Sequence, residues 1–483
     1  MDTIHLDIFH TNDMHGRVEA MARLRSYVKR RSAELEGRGH IVLFWDAGDA
    51  LDRRYPVCSL TKGAALGPVL NAMGYSLMVM GNDVLLTFGP KAMAELVARL
   101  SFPVLAANCR DGETPPVAGL QETAIVQLPG GLRMGVLGLT SPWNGAYEAF
   151  GLHFPDTMAT ARRCAARLRG EGASIVLVLS HLGLSEDLRL AEEVPGIEAI
   201  VGAHTHDVLT LGLVHKGVLI TQAGSYAERV GLLHLTLGAS SGELRSKSDE
   251  VIPIPEGELA DPDLLAALSA AEREAEAFAS RHVAVVESPL DLDYESECAM
   301  GDLLADAVRE RMGAQAALVL GAHLHTGLPA GRVTFGQVAQ ASTSTANPQR
   351  SRVRGSQILA ALETGLDPEW SGRRATAFRG SPNGRPLISG LEVVYDPERP
   401  VGRRILSVRV GGAPLGPDDW ILLAHTDGEP MSGVDLLRLE PDQETESEVP
   451  TVMREVLEDY LRSHSPVLPP ARGRWIAVQP RSS

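Results

Sequence analysis

The sequence predicts an α/β protein with more than one domain. Across residues 4–250, short runs rich in leucine and β-branched residues alternate with stretches of helical periodicity, which is typical of a sheet covered by helices. The length of 483 residues favours two or three domains with ample core. A polar, proline-containing segment at residues 250–258 separates this region from a second run of strands and helices, and is interpreted as a linker.

The elements of the first region follow from these two periodicities. Apolar runs predict strands at residues 4–9, 41–45, 77–80, 104–107, 133–139, 175–179, 197–201, 218–220 and 230–237. Helical periodicity covers residues 21–36, 61–73, 90–100 and 157–169, and Pro90 lies in the first turn of its helix. This order predicts a β-sheet whose faces are covered by the intervening helices.

The second half of the chain is divided by its composition. Residues 261–281 are rich in alanine and glutamate and contain no glycine, which favours a connecting helix. We therefore assign residues 1–255 to a first domain, 256–282 to a linker helix and 283–483 to a second domain. In the second domain we expect a helix from Gly301, strands at 391–395 and 405–410, a loop at 371–386 and a solvated acidic loop at 440–448.

Charge and cysteine content exclude several classes of function. The formal net charge of −16 argues against a protein that coats duplex nucleic acid. Small phosphorylated substrates stay open, because a metal site can supply positive charge locally. The 4 cysteines form no CxxC pair, so neither a zinc ribbon nor a disulfide framework is indicated. We find no signal-peptide pattern and no membrane-spanning run, so we expect a soluble, cytoplasmic protein of undetermined oligomeric state.

Polar residues of metal-binding type follow the predicted strands. They are Asp13, His15, Asp49, Asn82, Asp83, Asn108, His181, His204 and His206. Because ligands of open α/β sheets bind outside the carboxyl ends of the strands, these residues could converge on one site. A lone histidine is more often structural, but His204 and His206 follow one apolar strand in a Gly-x-His-x-His run. The joint pattern indicates a hydrolytic centre of two metal ions, in which Asp49 can bridge.

These motifs resemble those of the metallophosphoesterases of the 5′-nucleotidase type in their two-domain form. The matching segments are residues 11–16, 46–49, 81–82, 180–183, 202–206, 222–226 and 230–231. Less specific matches at residues 297–307, 329–334 and 389–391 extend the resemblance over nearly the whole chain. It implies a four-layer αββα metallophosphatase sandwich, a linker helix and a second α/β domain that closes over the substrate.

The resemblance also implies how two divalent ions are held. One ion is bound by Asp13, His15 and His206, the other by Asn82, His181 and His204, and both by Asp49. A hydroxide shared by the metals would attack phosphorus in line with the leaving oxygen. Mn²⁺ is the first expectation for this mixed donor set, with Zn²⁺, Fe or Ca²⁺ as alternatives. The implied substrates are nucleotides, as 5′-monophosphates, 2′,3′-cyclic phosphodiesters or both.

The sequence departs from the family at a catalytic dyad. The family usually reads Gly-Asn-His-Glu-x-Asp, whereas Asp83 occupies the His position here and Leu86 the Asp position. A positioned acid contributes roughly 10²–10⁴-fold to a rate, so this loss is not minor. We take Asn82 and Asp83 as catalytic candidates, with Asp83 as the acid if burial or nearby charge raises its pKa. A substrate that needs less leaving-group assistance, and a slow or inactive enzyme, stay open.

Substrate recognition also departs from the family pattern. His325 falls at the position of a phosphate-binding Arg, which predicts weaker, pH-dependent binding of phosphate. Arg385 and Gly428 lie near the places of two aromatic rings that clamp the base in the family. The predicted substrate contacts are Asn108, His325, Arg385 and Arg350. Two rival functions stay open: a sulfur-ester hydrolase of the same superfamily, whose members also lack the His, and a metal-stabilised binding protein without turnover.

Overall fold

The computed structural model describes residues 3–110, 117–374 and 381–478 of the chain. It contains two compact units, Met1–Ala275 and Glu276–Ser483. The division falls inside a helix, Pro262–Ala279, that lies within the range predicted for the linker helix. None of the helices in the described ranges has both the length and the hydropathy that crossing a membrane requires.

The first unit is built from strands and helices in alternation. Its strands are β1 (Thr3–Thr11), β2 (Ile41–Asp46), β3 (Leu77–Val79), β4 (Val104–Leu105), β5 (Leu120–Gln121), β6 (Thr123–Gln127), β7 (Arg133–Thr140), β8 (Ile175–His181), β9 (Ala199–Val201), β10 (Leu213–His215), β11 (Val218–Thr221), β12 (Arg229–Gly238) and β13 (Leu244–Pro253). Its helices are α1 (Val18–Glu36), α2 (Pro56–Thr61), α3 (Gly67–Met73), α4 (Asp83–Val97), α5 (Asn144–Glu148), α6 (Thr157–Gly170), α7 (Leu184–Glu193) and α8 (Pro262–Ala279), on which the units divide.

Two sheets face each other across a buried core in this unit. Their strand orders are β13-β12-β1-β2-β3-β4-β5 and β10-β11-β9-β8-β7-β6. Side chains of both sheets, such as Ile8 and Leu177, belong to one buried cluster between them. A second cluster joins the first sheet to α1, α3 and α4, and a third joins the second sheet to α6 and α7. The predicted four-layer αββα sandwich is therefore confirmed.

The strand directions determine where the loops meet. In the first sheet β1, β2 and β3 run parallel, and in the second sheet β7, β8, β9 and β11 do. The carboxyl ends of each parallel set therefore lie at one edge of its sheet. Two main-chain hydrogen bonds join the loops after β1 and β2, from Asp13 N–H to the Gly48 carbonyl and from His15 N–H to the Asp49 carbonyl, at 2.9 Å each.

The end of β1 is anchored by a buried hydrogen-bonded pair of side chains. His10 Nε2 lies 3.1 Å from Asp249 Oδ1 of β13, and both side chains are fully buried. The intervening strand β12 makes room with Gly231, where a Cβ atom would lie 2.0 Å from the His10 ring. Since any larger residue would collide with that ring, Gly231 allows the pair that precedes the Asp13 loop.

Several predicted boundaries are wrong because tertiary context overrides local pattern. The helix predicted over residues 61–73 is interrupted after α2, where Lys62 and Gly63 have φ angles of 53° and 87°. Residues 83–88 precede the predicted helix at Pro90 and join it in α4, with a non-helical Gly89 between the two parts. Residues 250–253 are not a linker but the end of β13, where they pair with β12.

The second unit is a smaller α/β domain. Its strands are β14 (His282–Val286), β15 (Ala316–Val319), β16 (Gly331–Thr334), β17 (Pro348–Arg354), β18 (Leu387–Ser389), β19 (Leu391–Tyr395), β20 (Ile405–Val410), β21 (Ala413–Pro414), β22 (Trp420–Thr426), β23 (Thr445–Ser447) and β24 (Trp475–Ala477). Its helices are α9 (Ala299–Arg311), α10 (Phe335–Ala341), α11 (Gly355–Gly365), α12 (Pro368–Gly372) and α13 (Met453–Ser463). The predicted second α/β domain is confirmed.

The sheets of this unit correct one prediction and leave another partly open. The strand orders are β18-β15-β22-β17-β23 and β21-β20-β19-β24, with β14 and β16 as a separate pair. The acidic segment at 440–448 is not wholly a solvated loop, because β23 pairs with β17. Of the loop predicted at 371–386, residues 375–380 lie outside the described residues.

Candidate metal centre

Side chains at the carboxyl ends of five strands of the first unit, β1, β2, β3, β8 and β9, converge. Two groups have ligand atoms that lie within 4.8 Å of one another: Asp13 with His15 and His206, and Asp49 with His181 and His204. Asn82 adjoins the second group, since its Oδ1 atom lies 3.3 Å from His181 Nε2. Asp49 also forms a group with His15 and Asp83. The structure thus brings all seven predicted ligands together, with Asp49 between the two sets.

The backbone at these positions has an unusual conformation. Ten non-glycine residues of the described chain have a positive φ angle. Five of them are predicted ligands, namely Asp13, His15, Asp49, His204 and His206. The left-handed region costs an L-residue roughly 1–3 kcal/mol, and such residues cluster at functional sites. The conformation therefore marks this edge of the fold as a site.

One carboxylate oxygen at the centre has no hydrogen-bond partner among the residues that the structure describes. Asp13 Oδ1 is buried and unpaired, and it lies 3.5 Å from His206 Nε2, 3.9 Å from His15 Nε2 and 4.0 Å from His181 Nε2. The other oxygen of Asp13 accepts hydrogen bonds of 2.8 Å from Asn12 Nδ2 and the His204 N–H. Because burial of an unpaired carboxylate oxygen is costly, the position fits a bound cation. The residues present therefore suit divalent metal.

Hydrogen bonds on the far side of two imidazoles orient them toward the centre. His181 Nδ1 donates to the Ala47 carbonyl at 2.8 Å, so that Nε2 is the ring nitrogen that faces the centre, 3.2 Å from Asp49 Oδ2. His15 Nδ1 donates to Asp83 Oδ2 at 3.0 Å, and its Nε2 lies 3.1 Å from His206 Nε2. Partners of this kind fix the tautomer of a metal-binding histidine and raise its basicity. Asp83 thus supports His15 in the structure.

The carboxylates give the centre a strong preference for positive charge. Burial lowers the pKa of His181, but Asp49 and Asp13 raise it to about 9. Burial raises the pKa of Asp49, and His181 more than reverses this effect, so that the pKa lies below its usual value. For Asp83 burial prevails over the hydrogen bond from His15, and its pKa is raised. A raised pKa of Asp83 is the condition under which the sequence predicts that this residue acts as a general acid.

Two glycines allow this close packing. A Cβ atom at Gly81 would lie 2.1 Å from Asp49 Oδ1 and 2.3 Å from the Asp49 nitrogen. Gly48 has a φ angle of 101°, and a Cβ atom there would lie 2.5 Å from His181 Nδ1. Both positions therefore require a residue without a side chain.

The predicted substrate contact at Asn108 is wrong. Its side chain is fully buried, and its Nδ2 and Oδ1 atoms pair with the Thr140 carbonyl and N–H at 2.7 and 2.9 Å. A buried amide with both groups engaged has no surface for a ligand. Asn108 instead ties the loop after β4 to the end of β7.

The other predicted substrate contacts lie in the second unit. The Arg350 guanidinium donates to the Met312 carbonyl and pairs with Glu446 at 2.6 Å, and its contact with substrate stays a prediction. The ring nitrogens of His325 lie within 2.7 Å of the Ser381 and Thr343 hydroxyls. The Arg385 guanidinium lies over the rings of Tyr395 and Trp475, at 5.4 and 5.5 Å. Substrate contact by His325 and Arg385 stays a prediction.

Sequence reasoning assigned no role to two aromatic residues beside the centre. The Trp143 ring lies 6.1 Å from the His204 ring, and the Tyr226 ring lies 5.8 Å from those of His15 and His206. The only sequence signal was that Tyr226 belongs to a segment resembling the family, residues 222–226.

Both halves of the chain match known protein families. Residues 6–208 match the family described as calcineurin-like phosphoesterase. Residues 281–427 match the family described as 5′-nucleotidase, C-terminal domain. The two matches lie in the two units in the order that the resemblance implied.

Individual proteins give the same result. The uncharacterized metallophosphoesterase YunD of Bacillus subtilis is 28% identical over 390 residues, which cover 80% of this chain and 84% of YunD. The trifunctional nucleotide phosphoesterase protein YfkN of Bacillus subtilis is 25% identical over 452 residues, which cover 84% of this chain and 30% of YfkN. The crystal structure of a 5′-nucleotidase precursor from Thermus thermophilus is 25% identical, with a TM-score of 0.52 over 99% of this chain and 100% of the other.

The close approach of Gly81 to Asp49 gives a testable prediction. We expect Gly81→Ala to weaken binding of Mn²⁺ or Zn²⁺ by about 10- to 100-fold, because the new methyl group displaces Asp49. The measurement is a competition titration against a chelating dye, with circular dichroism to verify folding. Gly170→Ala is the matched control, since a Cβ atom there meets nothing within 4 Å. Unchanged affinity in Gly81→Ala would refute this role of Asp49.

Proposed function

The chain belongs to the 5′-nucleotidase-type metallophosphoesterases, which are metal-dependent phosphoester hydrolases, and we propose that its substrates are nucleotides. The proposal covers 5′-monophosphates and 2′,3′-cyclic phosphodiesters. It is supported by two similar proteins, the trifunctional nucleotide phosphoesterase YfkN and the 5′-nucleotidase precursor from Thermus thermophilus. Manganese and a cytoplasmic location stay predictions.

One observation carries the proposal of a two-ion centre. The unpaired Asp13 Oδ1 atom faces three imidazole nitrogens, while Asp49 belongs to ligand groups on both sides. We assign one ion to Asp13, His15, His206 and Asp49, and the other to Asn82, His181, His204 and Asp49. Two bound divalent ions would lower the pKa of a water molecule and offset charge on a phosphoryl group.

The chain's own residues prepare the centre for this chemistry. Ala47 and Asp83 hold His181 and His15 in the tautomers that present Nε2 to the centre. Asp83 also donates its backbone N–H to Asp49 Oδ1 at 2.9 Å, which fixes the shared carboxylate. Asp83 therefore positions two candidate ligands from the place where the family has its catalytic His. A role of Asp83 as general acid remains part of the proposal.

A panel of esters tests the proposed function. We expect the chain loaded with Mn²⁺ to hydrolyse adenosine 5′-monophosphate, 2′,3′-cyclic AMP or both, since metal-activated water suits either phosphorus centre. Release of phosphate or of the opened monophosphate is measured with Mn²⁺, Zn²⁺, Fe²⁺ and Ca²⁺ in turn. Asp49→Asn is the matched control and should lose turnover, because the shared ligand loses its charge.

Other outcomes would favour the rival functions. Hydrolysis of a thiosulfate ester alone would support the sulfur-ester hydrolase. No hydrolysis of any ester by a chain that binds two ions would support a metal-stabilised binding protein. Either result would overturn the proposal of nucleotide hydrolysis.

Asp83 has its own test. We expect Asp83→Ala to lower kcat/KM by at least about 10-fold, because His15 loses the carboxylate that orients its ring, whereas the backbone N–H that binds Asp49 is kept. We expect Asp83→Asn to keep more metal affinity than Asp83→Ala, since an amide oxygen still accepts from His15. The control is Asp52→Asn, whose Oδ2 atom lies 3.9 Å from His15 Nδ1, beyond hydrogen-bond distance. Full activity of Asp83→Ala across the pH range would refute any role for the Asp83 side chain.

A further inference from the structure

Two exposed aromatic side chains flank the candidate metal centre. Among the described residues, three aromatic side chains stand out as exposed: Trp143 at 49%, Trp420 at 44% and Tyr226 at 37%. Two of these three lie beside candidate ligands, although aromatic residues make up only 5% of the chain. An exposed aromatic ring lacks the large stabilisation that burial of the ring would provide. Two such rings beside the candidate metal centre therefore suggest that they contact a ligand.

The sheet topology places these two residues on either side of the histidines. In the second sheet β11, β9, β8 and β7 are consecutive neighbours and run parallel. Tyr226 follows β11, His204 and His206 follow β9, His181 ends β8, and Trp143 follows β7. The aromatic residues therefore bracket the ligands along one edge of the sheet.

The ring contacts agree with this order. The Trp143 ring meets the His204 ring edge to face, at 6.1 Å and 85°, and the His204 ring lies 5.1 Å from the His181 ring. On the other side the Tyr226 ring lies 5.8 Å from both the His206 and the His15 rings. A phosphoester bound at the ions would extend its organic group between rings that border the centre.

Tyr226 is held in place by its backbone and by a cation. Its φ angle is 61°, in the left-handed region, and its N–H donates to the Asp13 carbonyl at 2.9 Å. The guanidinium carbon of the exposed Arg17 lies 5.0 Å from the centre of its ring. A tyrosine that is both strained and exposed gains little from packing, so its conformation points to function. Arg17 adds a positive charge that suits an anionic substrate.

We propose that Trp143 and Tyr226 form an aromatic rim that binds the planar group of the substrate by stacking. This inference rests on the proposed function, because the rim acts on esters bound at the metal centre. It assigns specificity for phosphoesters with a nucleobase or another aromatic ring over aliphatic ones. The rim also supplies ring surfaces in the first unit, while Arg385 and Gly428 stand where the resemblance would place the base clamp in the second.

Kinetics with two classes of substrate test the rim. We expect Trp143→Ala and Tyr226→Ala to raise KM for adenosine 5′-monophosphate by roughly 5- to 100-fold, the range of base stacking. KM for glycerol 3-phosphate and kcat for both esters should change little. Trp143→Phe and Tyr226→Phe should restore most of the affinity, because they keep a ring. Trp420→Ala is the matched control, with an equally exposed ring in the second unit.

Binding of adenosine, which has no phosphate, separates this inference from the proposed function. We expect adenosine to bind the metal-loaded chain in calorimetry and to bind Trp143→Ala at least about 5-fold more weakly, the lower end of the stacking range. Equal losses for the aromatic and the aliphatic ester, or adenosine binding that is absent or unaffected by the variants, would overturn the rim. Absence of ester hydrolysis by the unmodified chain would overturn the proposed function, and adenosine binding would still decide on the rim.

Discussion

The metal centre depends on a backbone that turns into the left-handed region just after three of the strands that carry its ligands. Asp13 and His15 have this conformation after β1, Asp49 after β2, and His204 and His206 after β9. Because it is unfavourable for L-residues, surrounding bonds must enforce it. Those between the loops after β1 and β2 run from Asp13 to Gly48 and from His15 to Asp49. Parallel pairing aligns the strand ends, and the left-handed loops after them bring the candidate ligands close together.

Hydrogen bonds from residues next to the ligands determine how the imidazole rings of the centre are oriented. Ala47 and Asp83 orient His181 and His15, and Gly48 and Gly81 let these groups approach one another closely. At position 83 an Asp stands where the resemblance implies a His, and its carboxylate is the hydrogen-bond partner of His15. The same residue that departs from the family therefore belongs to the scaffold of the centre.

The sequence predicted the parts of the site that depend on local pattern. Apolar runs located the strands, and the residues after them proved to lie together because parallel strands align their ends. The prediction that failed depends on a distant partner, because the Asn108 side chain is hydrogen-bonded to the Thr140 backbone. The pairing of β23 with β17 could likewise not be predicted, because β23 lies in an acidic segment without the apolar pattern of a strand. The roles of Trp143 and Tyr226 require knowledge of which strands are neighbours.

A crystal structure of the chain grown with Mn²⁺ tests the central claim most directly. Anomalous diffraction should show two peaks, roughly 3.5–4 Å apart, with Asp49 between them. One peak should adjoin Asp13, His15 and His206, and the other Asn82, His181 and His204. A single peak, or peaks away from Asp49, would contradict a centre of two ions that share this carboxylate.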